Sequence, residues 1–191
     1  MKIVAGLGNP GAQYASTPHS VGFEAADAIA AACGAAWEEK RRFKCLWAEA
    51  RIGAERVVLV KPLPCMNLSG ESVAQVLRYS NCGISDLIVV HYDIDLPLGR
   101  LRVRLGGSCG GHNGVRNIIE RAGSDAFVRV KIGVGKDASN VIGYVLGKFS
   151  PEARKVADRA VEAAAKAVVK VVTDGPSAAM NEFNALDVSR E

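Results

Sequence analysis

Asp86-Leu87-Ile88-Val89-Val90-His91-Tyr92 is an apolar run without alternation. Soon after it, Arg100-Leu101-Arg102-Val103-Arg104-Leu105 alternates strictly. An unbroken apolar strand is covered on both faces and suits a parallel pairing, whereas a strand of period two has one covered face and suits an antiparallel one. The two together predict a mixed sheet. Outward from them, strand-like and helix-like segments take turns, the order of an α/β fold. Residues 2–7, 43–51, 56–61 and 127–134 read as further strands, and Gly53 joins 43–51 to 56–61 as a hairpin. Helices are expected over 20–33, Leu68 to Tyr79, 114–122, from Pro151 to about Val172, and about 176–184. Ser150-Pro151 supplies an N-cap and a proline at the first helical position. The expectation is α/β, a single domain over residues 1–191: a mixed twisted β-sheet flanked by helices on both faces.

At 191 residues, 49% hydrophobic and 23% charged, the chain fits one soluble globular domain. It holds no apolar run of the roughly 18–20 residues that a membrane helix needs. Met1-Lys2-Ile3-Val4-Ala5-Gly6 reads as a strand and not as a leader, so the expected location is cytoplasmic. The five cysteines include no CxxC, and only three histidines accompany them. That pattern predicts neither a disulfide framework nor a metal site. The net charge of +4 is modest but localised. Residues 95–135 hold seven basic and three acidic residues, so this one segment carries the whole excess. A local basic field points to a polyanionic partner.

Gly6-Leu7-Gly8-Asn9-Pro10-Gly11 formally matches the dinucleotide fingerprint G-x-G-x-x-G. That fingerprint must open directly into a helix whose N-terminus takes the pyrophosphate. Pro10 lies inside the motif and Pro18 follows it, so the helix starts too late and a nicotinamide-dependent oxidoreductase is disfavoured. Asn9 is instead a polar amide in the turn after a central strand, where α/β sheets keep their sites. His19 sits at the start of the next helix, whose positive end disfavours the imidazolium and leaves a base near neutral pH. Asn67, in Met66-Asn67-Leu68-Ser69-Gly70, opens another helix, and Asn113 follows the glycine-rich stretch Gly106 to His112. Capping is the plain structural role for both asparagines. Taken together, three amides and one imidazole at element ends suit a peptide-like substrate, since amides both donate and accept hydrogen bonds. Nothing nearby in sequence activates Cys65 or Cys109. His19 acting on a water is the leading chemistry.

With these segments in order, Gly6-to-Gly11 with Tyr14 and His19, Met66-to-Gly70, Asp95-Leu96-Pro97-Leu98-Gly99, Gly110-Gly111-His112-Asn113-Gly114 and Ile132-to-Gly135, the chain resembles the bacterial peptidyl-tRNA hydrolases. The resemblance extends over about residues 2–184. It implies a monomeric hydrolase, without cofactor, that cleaves the ester between an N-blocked peptide and the 3′ end of tRNA. By resemblance His19 is the general base on a water, and Asn9 helps tell blocked from free aminoacyl-tRNA. Tyr14, Cys65, Asn67 and Asn113 hold the substrate near the ester. Arg102, Arg104 and Lys131 contact the tRNA. The spacing agrees: Arg100, Arg102 and Arg104 alternate along one strand face, and Arg129 and Lys131 repeat the pattern.

The chain departs from the family pattern at His91-Tyr92-Asp93-Ile94-Asp95, where Tyr92 holds the place of the aspartate expected beside the catalytic histidine. Asp93, one residue on, is expected to take that role if the strand has ended or bulged there, because adjacent strand residues face opposite sides. Pro18, Ser20 and Cys65 replace the usual Arg, Asn and Phe. An alternative of another class is a non-catalytic RNA-binding module on the same fold; the retained His19, Asn9, Asn67 and Asn113 favour the enzyme, and Tyr92 is the best argument for the module.

Overall fold

The computed structural model describes residues 1–190. The apolar run forms a strand, Leu87–Asp93, in the interior of a seven-stranded sheet. In chain order the strands are β1 (Lys2–Gly6), β2 (Glu38–Lys40), β3 (Cys45–Ile52), β4 (Glu55–Pro62), β5 (Leu87–Asp93), β6 (Leu101–Leu105) and β7 (Val128–Gly133). Their spatial order is β2-β3-β4-β1-β5-β7-β6. The four inner strands β4, β1, β5 and β7 are mutually parallel. The other pairs are antiparallel, including the β3–β4 hairpin at Gly53 and the alternating strand β6 on β7. The sheet is therefore mixed, as the two patterns in 86–105 require.

Helices α1 (Val21–Ala32) and α5 (Pro151–Asp174) cover one face, and α2 (Ser69–Tyr79) and α3 (Asn113–Ala122) the other. Strand residues alternate between the two cores: Val4, Ile88 and Val90 join α1 and α5, while Ile3, Ala5 and Val89 join α2 and α3. The α5 cap is as expected, with the Ala153 N–H donating to Ser150 Oγ at 3.2 Å. Helix α6 (Pro176–Phe183) packs on the same face as α5.

Two elements have no counterpart in the sequence expectations. β2 is three charged residues paired on β3, too short for any periodicity. Helix α4 (Val141–Leu146) has Gly143 in its interior; its readable signal is Asn140, whose Oδ1 caps the Gly143 N–H at 2.9 Å. The segment after β1 is irregular until a single 3₁₀ turn at Pro18–Ser20, and α1 starts only at Val21. The glycines here serve packing. A Cβ on Gly6 would collide with the Gly22 carbonyl, and one on Gly8 would meet the Phe23 ring at 2.7 Å. They let α1 lie directly on the β1 end, which is not what a phosphate cradle needs.

Candidate active site

The carboxyl ends of β1, β4 and β5, and the loops after them, bring Asn9, His19 and the 65–67 turn together. Asn9 is the joint. Its Oδ1 accepts the Met66 N–H at 2.8 Å, and its own N–H donates to Ser20 Oγ at 3.3 Å. One side chain and its backbone thus tie the turn carrying Cys65 and Asn67 to the turn carrying His19. Asn67 lies inside a 3₁₀ turn (Met66–Leu68) and is exposed, and the α2 start has no side-chain cap, so its carboxamide is not consumed in capping. The hydroxyl of Ser69 instead donates to the Met66 carbonyl at 2.7 Å.

The α3 cap is His112, whose Nδ1 accepts the Val115 N–H at 3.2 Å. Asn113 is the first helical residue, exposed, with Oδ1 near the Arg116 guanidinium at 3.3 Å. The sequence expectation of Asn113 as cap is corrected by one position. A residue that sequence reasoning missed, Asn117, is buried and accepts the Gly70 N–H at 2.8 Å, locking the starts of α2 and α3 together. A polar residue on the apolar face of α3 was the available signal. Tyr14 sits half-buried in the turn between Gly11 and Thr17, and Cys65 is exposed just ahead of Met66.

His19 is 9% exposed, and neither ring nitrogen has a hydrogen-bond partner. Burial lowers its pKa to about 4 by desolvation, in the direction expected from sequence. Its ring lies against Tyr92 with centroids 5.1 Å apart. Tyr92 in turn lies 4.5 Å from His112, and His112 packs edge-on to His91, also at 4.5 Å. Four rings therefore run in a row beneath the site. His91 and His112 each have an assignable tautomer. His91 Nδ1 donates to the Tyr92 carbonyl at 2.7 Å, and His112 Nδ1, accepting from Val115, leaves its proton on Nε2.

Asp93 does not approach His19 in hydrogen-bonding terms. Its carboxylate pairs with Lys131 Nζ at 3.3 Å and accepts the Asp95 N–H at 2.8 Å. The strand continues through Asp93 in register with Gly133, so no bulge turns the side chain. The expected Asp93–His19 pair is thus absent from this arrangement.

Two clefts are lined by neighbours of His19, Ser20 on one side and Tyr92 on the other, though not by His19 itself. One of about 450 Å³ is lined by Asn9, Pro10, Ser20, Phe23, Lys61 and Leu63, among others. A tighter one is lined by Tyr92, Asp93, Cys109, Gly111, His112 and Lys131. Cys109 is less plain than the sequence suggested: the Gly111 N–H, and secondarily Arg116, hold its thiol below the usual range.

The cationic face is smaller than the alternation implied. The register pairs Arg102 with Lys131 and Arg104 with Arg129 across β6 and β7. Arg102 and Arg104 are exposed. Lys131 is tied to Asp93 with its side chain 14% exposed. Arg129 is buried and gives its guanidinium to the Gly107 and Ser108 carbonyls, so it holds the glycine-rich loop and does not face solvent. Arg100 precedes the strand and bonds the Asn184 carbonyl at 3.3 Å.

The buried imidazoles make stability pH-dependent. Burial lowers His91 from 6.5 to about 4 and lowers His112 as well. Between those values the unfolded chain binds more protons than the folded one, so stability falls as pH drops through that window. His91 alone accounts for on the order of 3 kcal/mol between pH 7 and pH 4. Thermal melts across that range are expected to show a monotonic fall in Tm on acidification, reduced in His91→Gln.

The profile of a family described as peptidyl-tRNA hydrolase matches residues 3–191. A curated peptidyl-tRNA hydrolase of Clostridium botulinum (strain Okra / Type B1) is 42% identical over 188 residues, 98% of this chain and 99% of the relative. One from Clostridium tetani is 41% identical, over 96% of this chain and 97% of the relative. The crystal structure of peptidyl-tRNA hydrolase from Acinetobacter baumannii superposes with a TM-score of 0.93 at 31% identity, covering 98% of this chain and 96% of that one.

Proposed function

The chain belongs to the peptidyl-tRNA hydrolase family and hydrolyses peptidyl-tRNA, and from that premise we propose that His19 is the general base of the reaction. The observation that carries this is a buried imidazole beside Tyr92, with neither nitrogen bonded to another described residue and its pKa lowered to about 4, hence neutral at pH 7. Neutral His19 takes a proton from water as the water adds to the ester carbonyl. An ester is activated enough for one oriented base, given amide donors near the developing oxyanion. The exposed carboxamide of Asn67 and the amide N–H groups of Asn113, whose Oδ1 accepts from Arg116, fit that task, with Tyr14 and Cys65 flanking the substrate. Asn9 fixes the turns and reads the blocked amine. Asp93 contributes through Lys131, which it pairs, and not through His19.

The tRNA lies along the β6–β7 edge, with Arg102 and Arg104 on its phosphates and Lys131 at the cleft. Those remote contacts are where binding energy comes from. A cytoplasmic monomer is the state that the family resemblance implies. The non-catalytic RNA-binding alternative is not favoured by the comparisons.

The test is release of N-acetyl-amino acid from N-acetyl-aminoacyl-tRNA, with free aminoacyl-tRNA as control. Cleavage of the blocked ester alone is expected; equal cleavage of both removes the role of Asn9. Arg102→Ala and Arg104→Ala should each raise KM and reduce the slope of log KM against log salt by about 1, with kcat retained. An unchanged slope removes the phosphate contacts from this edge.

A further inference from the structure

We infer that Tyr92 is a positioning residue for His19: its ring holds the imidazole in place, and His19 works without a carboxylate partner. The inference rests on the hydrolytic reading above but concerns what orients the base. Three observations carry it. The His19 ring lies on the Tyr92 ring at 5.1 Å with an interplanar angle of 38°. Neither His19 nitrogen is hydrogen-bonded by another described residue, so among side chains it is the ring contact that orients the imidazole. Asp93, the neighbouring carboxylate, is engaged by Lys131 and by the Asp95 N–H.

The elements packed on the Pro18–Ser20 turn supply no other free anion. On α1, Glu24 is bound by Arg154 and Asp27 by Lys61. On α4, Tyr144 donates to the Val134 carbonyl at 2.6 Å. On β5, besides Tyr92 and Asp93, His91 stands with its pKa lowered by burial, as does His112 at the head of α3. The phenol of Tyr92 has its pKa raised by burial and is neutral at working pH. Tyr92 is itself backed by His112 at 4.5 Å, so it is a rigid wall.

The physical consequence is a base that stays neutral to low pH. A carboxylate beside an imidazole favours the imidazolium and raises the pKa. Its absence keeps the full population of His19 in the basic form, at a cost in intrinsic basicity. What is left for the protein to supply is orientation, and misplacement of a reacting group by about 1 Å costs about 10²-fold.

The experiment combines kcat against pH on N-acetyl-aminoacyl-tRNA with NMR titration of labelled histidines, His19 being identified by His19→Gln. Tyr92→Ala is expected to lower kcat by about 10–100-fold, and Tyr92→Phe, which keeps the ring, to recover most of it. Tyr92→Asp should move both the His19 titration and the acid limb of kcat up by about 1–3 pH units. Asp93→Asn should leave the His19 titration in place. A His19 titration that falls in Asp93→Asn, or that does not move in Tyr92→Asp, overturns the inference, and the NMR readout does so even where Tyr92→Ala fails to fold. Wild-type protein that shows the expected titrations but no cleavage supports the contact and overturns the hydrolytic reading, so the two failures are separable.

Discussion

His19→Ala lowers kcat on N-acetyl-aminoacyl-tRNA by about 10²–10⁴-fold, the contribution of a positioned general base. The substrate KM is expected to change little, because the phosphate contacts proposed above lie at the β6–β7 edge and not at His19. Stability is expected to hold as well. No hydrogen bond from the ring to another described residue is broken by truncation, so the loss is confined to the small cavity left behind. A folded His19→Ala protein that cleaves within a few-fold of wild type removes His19 as the base. Attention would then pass to Cys109, whose lowered thiol lines the adjoining cleft.

Gly22→Ala is the largest expected effect on the fold. Gly22 is in the first turn of α1, three residues after His19. A Cβ there would lie against the Val90 carbonyl and against Leu7 O and N at 2.5 and 2.6 Å. These atoms are backbone, and they are joined to each other: the Leu7 N–H donates to the Val90 carbonyl at 2.9 Å. They cannot swing aside as a side-chain tip would. Overpacking of this kind costs about 1–3 kcal/mol or more, and the better helix propensity of alanine returns only about 1 kcal/mol. A net loss of about 2 kcal/mol corresponds to a Tm lower by roughly 4–8 °C in a chain of this size. Because α1 must lift off the β1–β5 seam, the His19–Tyr92 contact opens and kcat falls with it. A melt unchanged from wild type contradicts the close approach of helix and sheet.

Much of this molecule is legible in its sequence because local pattern and tertiary role coincide. The apolar run in 86–92 and the alternation in 100–105 state which strands are covered on two faces and which on one, and the mixed pairing follows them. Ser150-Pro151 caps α5 because a cap is a local hydrogen bond. Pro10 and Pro18 exclude a phosphate-binding helix start for the same local reason. Asn9, His19, Asn67 and Asn113 are found because they are polar side chains at the ends of elements, where α/β sheets keep their sites.

Other features answer to contacts between elements distant in sequence. Arg129 has the spacing of a solvent-facing cation, yet it is buried because the loop from Gly106 to His112 folds back and presents two carbonyls to it. Asn113 yields its expected cap to His112 because the imidazole reaches the Val115 N–H first. Whether Tyr92 or Asp93 meets His19 is set by register, since β5 continues unbroken to Asp93 and Lys131 on β7 claims that carboxylate. The sequence by itself determined the α/β class, the mixed sheet, the family and the set of polar groups at the strand ends, because these rest on periodicity and local order. Only the tertiary structure decided which of those groups touch, because contact depends on side-chain direction across neighbouring strands, and a shift of one residue reverses it.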